Sequence, residues 1–141
     1  MSDTGEKAFY LEAAPENLSR FVWASPGSTN RNIEGTETAL GTGRKNTSLI
    51  LAADPAAAAA LACKNYSSTV NGIAFTDWFL PSYDELYQLY INRAAAGNSS
   101  AEFWSSSQGN NWDAWMQDFS GGEKITGYKN DSGIVRPVRA F

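Results

Sequence analysis

The residue types that do chemistry are few in this chain, and their spacing excludes more than it offers. Histidine is absent from all 141 residues. That removes the commonest general base and metal ligand, and with them the Ser-His and Cys-His arrangements of nucleophilic catalysis. Cys63 is the single cysteine, so no disulfide forms within the chain. It follows an alanine-rich run and reads as a small buried helix residue. Asp84 and Glu85 are sequence neighbours, and on a helix they diverge instead of meeting as an acid–base pair. Asp113, Asp118 and Asp131 fall on separate predicted strands and turns, whereas calcium needs clustered oxygens. The sequence therefore predicts a protein that is not an enzyme, with no metal and no cofactor.

Binding is the chemistry that remains. Five tryptophans and an aromatic share of 13% supply rings that fill cores but also dominate recognition surfaces. The net charge of −4, with no run of Lys and Arg, argues against nucleic acid, which needs a basic patch. It also argues against electrostatic attachment to a membrane. No segment is long and apolar enough to insert into a bilayer, and no signal-peptide core follows the polar start. The expectation is synthesis in the cytosol, with display on a virus particle or cell surface needing another export route.

The richest stretch is residues 108–133. Read as a strand, Trp112, Ala114, Met116 and Asp118 share one face, and Asp113, Trp115, Gln117 and Phe119 share the other. The second set reads as the core face. The first then points outward and exposes Trp112 and Met116 beside Asp118, which suits a binding surface. A partner subunit covering this edge is the competing expectation, so a homo-oligomer or a virion partner is compatible with the same pattern.

A compact scaffold must position these groups, and the length is that of one domain, residues 1–141. Residues 1–7 read as a flexible start. Residues 8–11 and 20–24 read as strands, and 25–43 as a long loop. Helical signals begin at Asn46 and Thr47, both N-cap types, and run interrupted to about Asn65, with Asp54-Pro55 as a fresh helix start. Small alanines let that helix lie close to a sheet. Ser82 and Glu85 form a capping box opening a second helix, with Leu86, Leu89 and Tyr90 on one face and a stop at Gly97-Asn98. Residues 103–105, 112–119, 124–129 and 134–141 read as strands, separated by turns at Gly109-Asn110, Gly121-Gly122 and Asp131-Ser132-Gly133. Helices followed by an antiparallel meander predict an α+β domain, two helices packed on small antiparallel sheets.

Three motifs carry physical readings of their own. In Asp77-Trp78-Phe79-Leu80-Pro81-Ser82, Trp78 and Leu80 alternate onto one face as core. In Phe103-Trp104-Ser105-Ser106-Ser107, a buried ring stands beside hydroxyls that satisfy backbone groups in an irregular strand. In Val135-Arg136-Pro137-Val138-Arg139-Ala140-Phe141, one arginine is expected to pair with Asp77, Asp84 or Glu85.

Taken in this order, with Gly41-Thr42-Gly43 and Asn46-Thr47 ahead of them, the motifs resemble a C-type-lectin-like family over roughly residues 40–141. It includes the C-terminal domain of a bacterial collagen-like adhesin, and it is distantly related in fold to the formylglycine-generating sulfatase-modifying enzymes. The active-site cysteines of those enzymes have no match in Cys63. The resemblance implies a C-type-lectin-like fold. It further implies a variable protein of a diversity-generating retroelement, in which adenine-directed mutagenesis rewrites scattered codons near the 3′ end of the gene. Residues of about 104–134 would then form the variable region. Its ligand-facing positions would be Asn110, Asn111, Trp112, Asp113, Met116, Asp118, Ser120, Tyr128, Asn130, Asp131 and Ser132. The partner would be a protein or glycan ligand; a fixed-specificity glycan-binding adhesin is the alternative.

Overall fold

The computed structural model describes residues 10–96 and 101–141. The expected flexible start, the residues before Tyr10, and the helix stop at Gly97-Asn98 lie outside the described residues.

A five-stranded sheet forms the centre. It consists of β2 (Leu18–Val22), β5 (Glu102–Gln108), β6 (Asp113–Asp118), β7 (Lys124–Tyr128) and β8 (Ser132–Val135), in the order β2-β8-β5-β6-β7. β6 pairs antiparallel with both β5 and β7, whereas β8 runs parallel to β5, with Phe103 opposite Ile134. The sheet is thus mixed, not the simple meander expected. The expected single strand over 134–141 is broken at Arg136-Pro137, because proline has no N–H to donate to a ladder. The chain resumes as β9 (Val138–Ala140), which pairs with β1 (Leu11–Ala13). A separate hairpin, β3 (Ser68–Val70) and β4 (Ile73–Phe75), turns at Asn71 and Gly72, whose φ angles are 52° and 80°. Asn-Gly between β-branched residues is a strong hairpin signal, and the sequence reading passed over it.

Helices cover both faces of the sheet. The first apolar cluster joins Ile50, Ala57, Ala59, Ala60 and Cys63 to Trp23, Leu80, Trp104, Ala114, Met116 and Val135. Its helices are α1 (Gly43–Ala53) and α2 (Ala58–Lys64). The second joins Leu86 and Leu89 of α3 (Tyr83–Ile91) to Phe79, Phe103, Phe119 and Val138. Phe103 and Trp104 are adjacent on β5, so strand alternation sends one ring to each cluster. A short helix, α4 (Arg93–Ala96), follows α3.

The helix starts show what tertiary contacts override. α3 opens as expected: Ser82 Oγ accepts from the Glu85 amide and Glu85 Oε1 accepts from the Ser82 amide. α1 begins at Gly43, ahead of the expected caps. Asn46 and Thr47 lie inside the helix and are buried. Their side chains bond elsewhere, Asn46 to Glu37 O at 2.7 Å and Thr47 Oγ1 to the Leu80 amide at 3.1 Å. Gly43 itself is required by close approach, since a Cβ there would overlap Glu85 Oε1 and lie 2.8 Å from the Ser82 nitrogen. Asp54 starts no helix; it ends α1, and its carboxylate accepts from the Ser25 amide and hydroxyl at 2.8 and 2.6 Å.

Candidate functional site

The scaffold under the site is β5. Trp104 is fully buried and its indole N–H donates to Phe21 O at 2.8 Å. The three serines after it are also buried, and each hydroxyl has a partner. Ser105 Oγ donates to Trp115 O, Ser106 Oγ accepts from Asn46 Nδ2, and Ser107 Oγ donates to Glu37 O while accepting from the Tyr83 amide. The β5–β6 register is irregular between Trp104 and Gln108, so side chains complete what the ladder leaves open.

β6 departs from the expected two-faced strand. Ala114 and Met116 are buried in the first cluster. Met116 lies opposite Trp104 in the register. Gly127 and Gly133 leave room for this pair: a Cβ on either would fall 2.6 Å from a Met116 side-chain atom and within 3 Å of the Trp104 ring. The expectation that Met116 faces outward is therefore corrected; it is a core residue, packed beside Trp104. On the opposite face Gln117 is buried, and its Oε1 accepts from the Tyr83 hydroxyl at 2.5 Å. Burial raises the Tyr83 phenol above its usual range, with Tyr87 and Asp84 adding to the shift. Trp115 is only half-buried, beside Tyr83, with the Lys124 ammonium 4.3 Å above its ring.

The remaining predicted positions divide between the two ends of the β6–β7 hairpin. At one end, Asp113 lies opposite Tyr128, and the Lys129 amide donates to Trp112 O at 2.8 Å. This brings the loop 110–113 against the turn 128–132. Asn110 Oδ1 closes the loop by accepting from the Trp112 and Asp113 amides at 2.8 and 2.9 Å. Trp112 is 57% exposed and Tyr128 63%; Asn111, Asn130, Asp131 and Ser132 are exposed as well. Among the described residues, no hydrogen bond, ion pair or ring contact engages the side chains of these six.

The other end holds Asp118 and Ser120. It lies five strand residues on from Asp113, about 17 Å away. Asp118 is a turn residue: its carboxylate accepts from the Ser120 amide at 2.8 Å and the Gly121 amide at 3.2 Å. The structure therefore brings eight of the eleven predicted positions to one end of the hairpin, while Met116 lies in the core and Asp118 and Ser120 lie at the other end.

Two residues beneath that end were missed. Lys129 is 1% exposed. Its ammonium donates to Arg31 O at 2.7 Å and Gln108 Oε1 at 2.6 Å, and sits 4.9 Å from the Trp23 ring centroid. Burial pulls its pKa down from 10.5 to about 8, with the Asp113 carboxylate opposing the shift. Gln108 also accepts from the Ile33 amide at 2.8 Å and donates to Asn32 Oδ1 at 2.7 Å. The available signal was phase: Ile125, Gly127 and Lys129 alternate onto the inward side of the strand. Elsewhere Arg139 pairs with Asp77 at 2.8 Å and with Glu12 at 3.0 Å, the first of these as expected. No group of ligating side chains suited to a metal ion occurs among the described residues, and no described helix is long and apolar enough to cross a membrane.

Two helical layers on a small mixed sheet, with a loop-and-turn surface at one end of its last hairpin, define a C-type-lectin-like domain. The chain belongs to the Lcl C-terminal domain family, whose model matches residues 12–139. The membership supports a ligand-binding, lectin-like domain. No match to the chain was found among curated proteins.

Proposed function

We propose that this domain is a binding module, not an enzyme, that recognises a protein or glycan through the surface formed by residues 110–113 and 128–132. In this reading a retroelement diversifies that surface. The observation that carries it is the set of exposed, unengaged side chains Asn111, Trp112, Tyr128, Asn130, Asp131 and Ser132, held on two turns tied by the Lys129 amide and Trp112 O. Side chains with no internal partner can be replaced without unfolding the scaffold. The family's association with variable proteins of such retroelements supports the same reading. Asn110, Asp113, Asp118 and Ser120 stand further down the order, because Asn110 and Asp118 each hold a turn.

Deep sequencing of the gene's 3′ end across the source population tests this. Substitutions concentrated on the six unengaged positions, at adenines of a matching template repeat, are the expected result; Trp104, Met116 and Lys129 stay constant. A locus with neither a reverse transcriptase nor a template repeat would sink the proposal. The exposed Trp112 and Tyr128 rings favour a second reading, a fixed-specificity adhesin that stacks sugar rings on them. A uniform population sequence combined with glycan-array hits lost in Trp112→Ala would select it.

A further inference from the structure

Charged side chains are seldom fully buried, because taking an ammonium out of water costs several kcal/mol. Among the described residues Lys129 is the buried lysine, and it lies beneath the candidate surface. Its backbone belongs to that surface: the amide donates to Trp112 O, and the carbonyl accepts from the Trp23 and Ala24 amides at 3.1 Å each. Its side chain runs the other way and ends on three separate segments. These are Arg31 O in the 31–33 segment, Gln108 at the end of β5, and the Trp23 ring. Gln108 carries the connection onward, since the same Oε1 that accepts from Lys129 also accepts from the Ile33 amide.

We propose that Lys129 is a positioning residue of the binding surface: its buried ammonium fastens the 31–33 segment and the end of β5 beneath the 128–132 turn, so that the surface keeps its shape while its exposed side chains change. The inference rests on reading this end of the hairpin as the binding surface. Three properties support it. The ammonium's two hydrogen-bond acceptors, Arg31 O and Gln108 Oε1, are both uncharged, so the group forms charge-assisted bonds without an ion pair. Neither acceptor belongs to residues 110–113 or 128–132, so rewriting the exposed side chains Asn111, Trp112, Tyr128, Asn130, Asp131 and Ser132 leaves the fastening intact. The 31–33 segment lies in no strand or helix; besides the Arg31 amide bond to Ser28 O and the buried Ile33 side chain, its anchors are the side-chain bonds from β5 and Lys129.

Lys129→Met keeps the length and removes the charge. Amide hydrogen exchange in the full chain is compared at Ile33 and at Leu86, which lies in α3 and bonds Ser82 O. The expected result is exchange at Ile33 faster by about tenfold relative to Leu86, the size of a lost charge-assisted bond expressed as local opening. The same two backgrounds then carry a displayed library randomised at Asn111, Trp112, Tyr128, Asn130, Asp131 and Ser132, scored by protease resistance. Survival in the Lys129→Met background falls severalfold below that in the unsubstituted one. Unchanged exchange at Ile33 relative to Leu86, with equal library survival, overturns the proposal. If Lys129→Met does not fold, NMR of the unsubstituted protein decides: a slowly exchanging Lys129 ammonium resonance close to the Trp23 indole is expected, and a solvent-averaged one overturns it. None of these readouts needs a ligand, so a failed search for diversification at the locus leaves them standing.

Discussion

Residues 105–107 and residues 130–132 are built from similar small polar side chains, and their fates are opposite. Ser105, Ser106 and Ser107 lie in the middle of the molecule with each hydroxyl hydrogen-bonded. Asn130, Asp131 and Ser132 lie on a turn with their side chains unengaged. Buried hydroxyls without partners cost stability, so the serine run is fixed by its neighbours. The turn residues are fixed by nothing but their backbone. A polar residue's role here follows from what it touches, and both fates are needed for a surface that varies on a frame that does not.

Substitutions that enlarge or empty the frame should produce the largest effects. Trp104→Ala is expected to lower stability by about 3–5 kcal/mol, measured by chemical denaturation, because it empties the site that Met116, Gly127 and Gly133 surround. Gly127→Ala is expected to cost about 1–3 kcal/mol through overpacking against Met116 and Trp104. A near-neutral result for either would show that this end of the sheet is loosely packed and would erase the contrast. Ser107→Ala should cost about 1–3 kcal/mol, since it strands the Tyr83 amide and removes one of the bonds to Glu37 O, whereas Ser132→Ala should change stability by less than about 0.5 kcal/mol. Equal costs for the two serines would break the comparison most directly.

Charge sharpens it further. The Lys129 amine titrates near 8 when folded and at 10.5 when free. Between those values the unfolded chain holds the extra proton, so this group's contribution to stability rises as pH goes from 8 to 10.5 and is lost again on the way down. Melting curves of the unsubstituted protein and Lys129→Met, subtracted across that window, should show the rise. The Arg139 guanidinium holds the Asp77 carboxyl below its ordinary 3.8. That contribution is present above 3.8 and fades as pH falls through the lower folded value, so Asp77→Asn and the unsubstituted protein should converge in acid. The gap at neutral pH should be no more than about 1 kcal/mol, because Asp77 is partly exposed. Trp112→Ala should be the smallest of all for stability, within about 0.5 kcal/mol, and its effect should appear in binding instead.

Much of the frame was legible in the sequence because its signals are local. The Ser82–Glu85 capping box, the burial of Trp78 and Leu80, the buried ring with its serines, and the expectation that an arginine of the last strand meets Asp77, Asp84 or Glu85 all declare themselves within a few residues or by charge. What was not legible depends on distant contacts. Asn46 and Thr47 look like caps until Glu37 and Leu80 claim their side chains. Met116 looks exposed on β6 by alternation, yet both faces of that strand are covered, one by the first core cluster and one by Tyr83 of α3. The expected turns at Gly109-Asn110 and Asp131-Ser132-Gly133 fall beside the bends that the structure places at 110–112 and 129–131. Their separation from Asp118 and Ser120 follows from hairpin length, which strand spacing alone makes readable in retrospect.

The pairing of β1 with β9 and of β2 with β8 has a kinetic consequence. Leu11 meets Ala140 and Leu18 meets Val135, and Arg136 bonds Ala14 across 122 residues. Such closures pay nearly the whole loop entropy of the chain before any contact repays it, which places a domain of this topology among the slow folders, on the order of milliseconds to seconds. The β5–β6–β7 hairpins close over short loops and can form early. The strands that seal the sheet's other side must wait until the last residues of the C-terminal segment are in hand, so a chain released from the ribosome before Ala140 has no partner for its first strand.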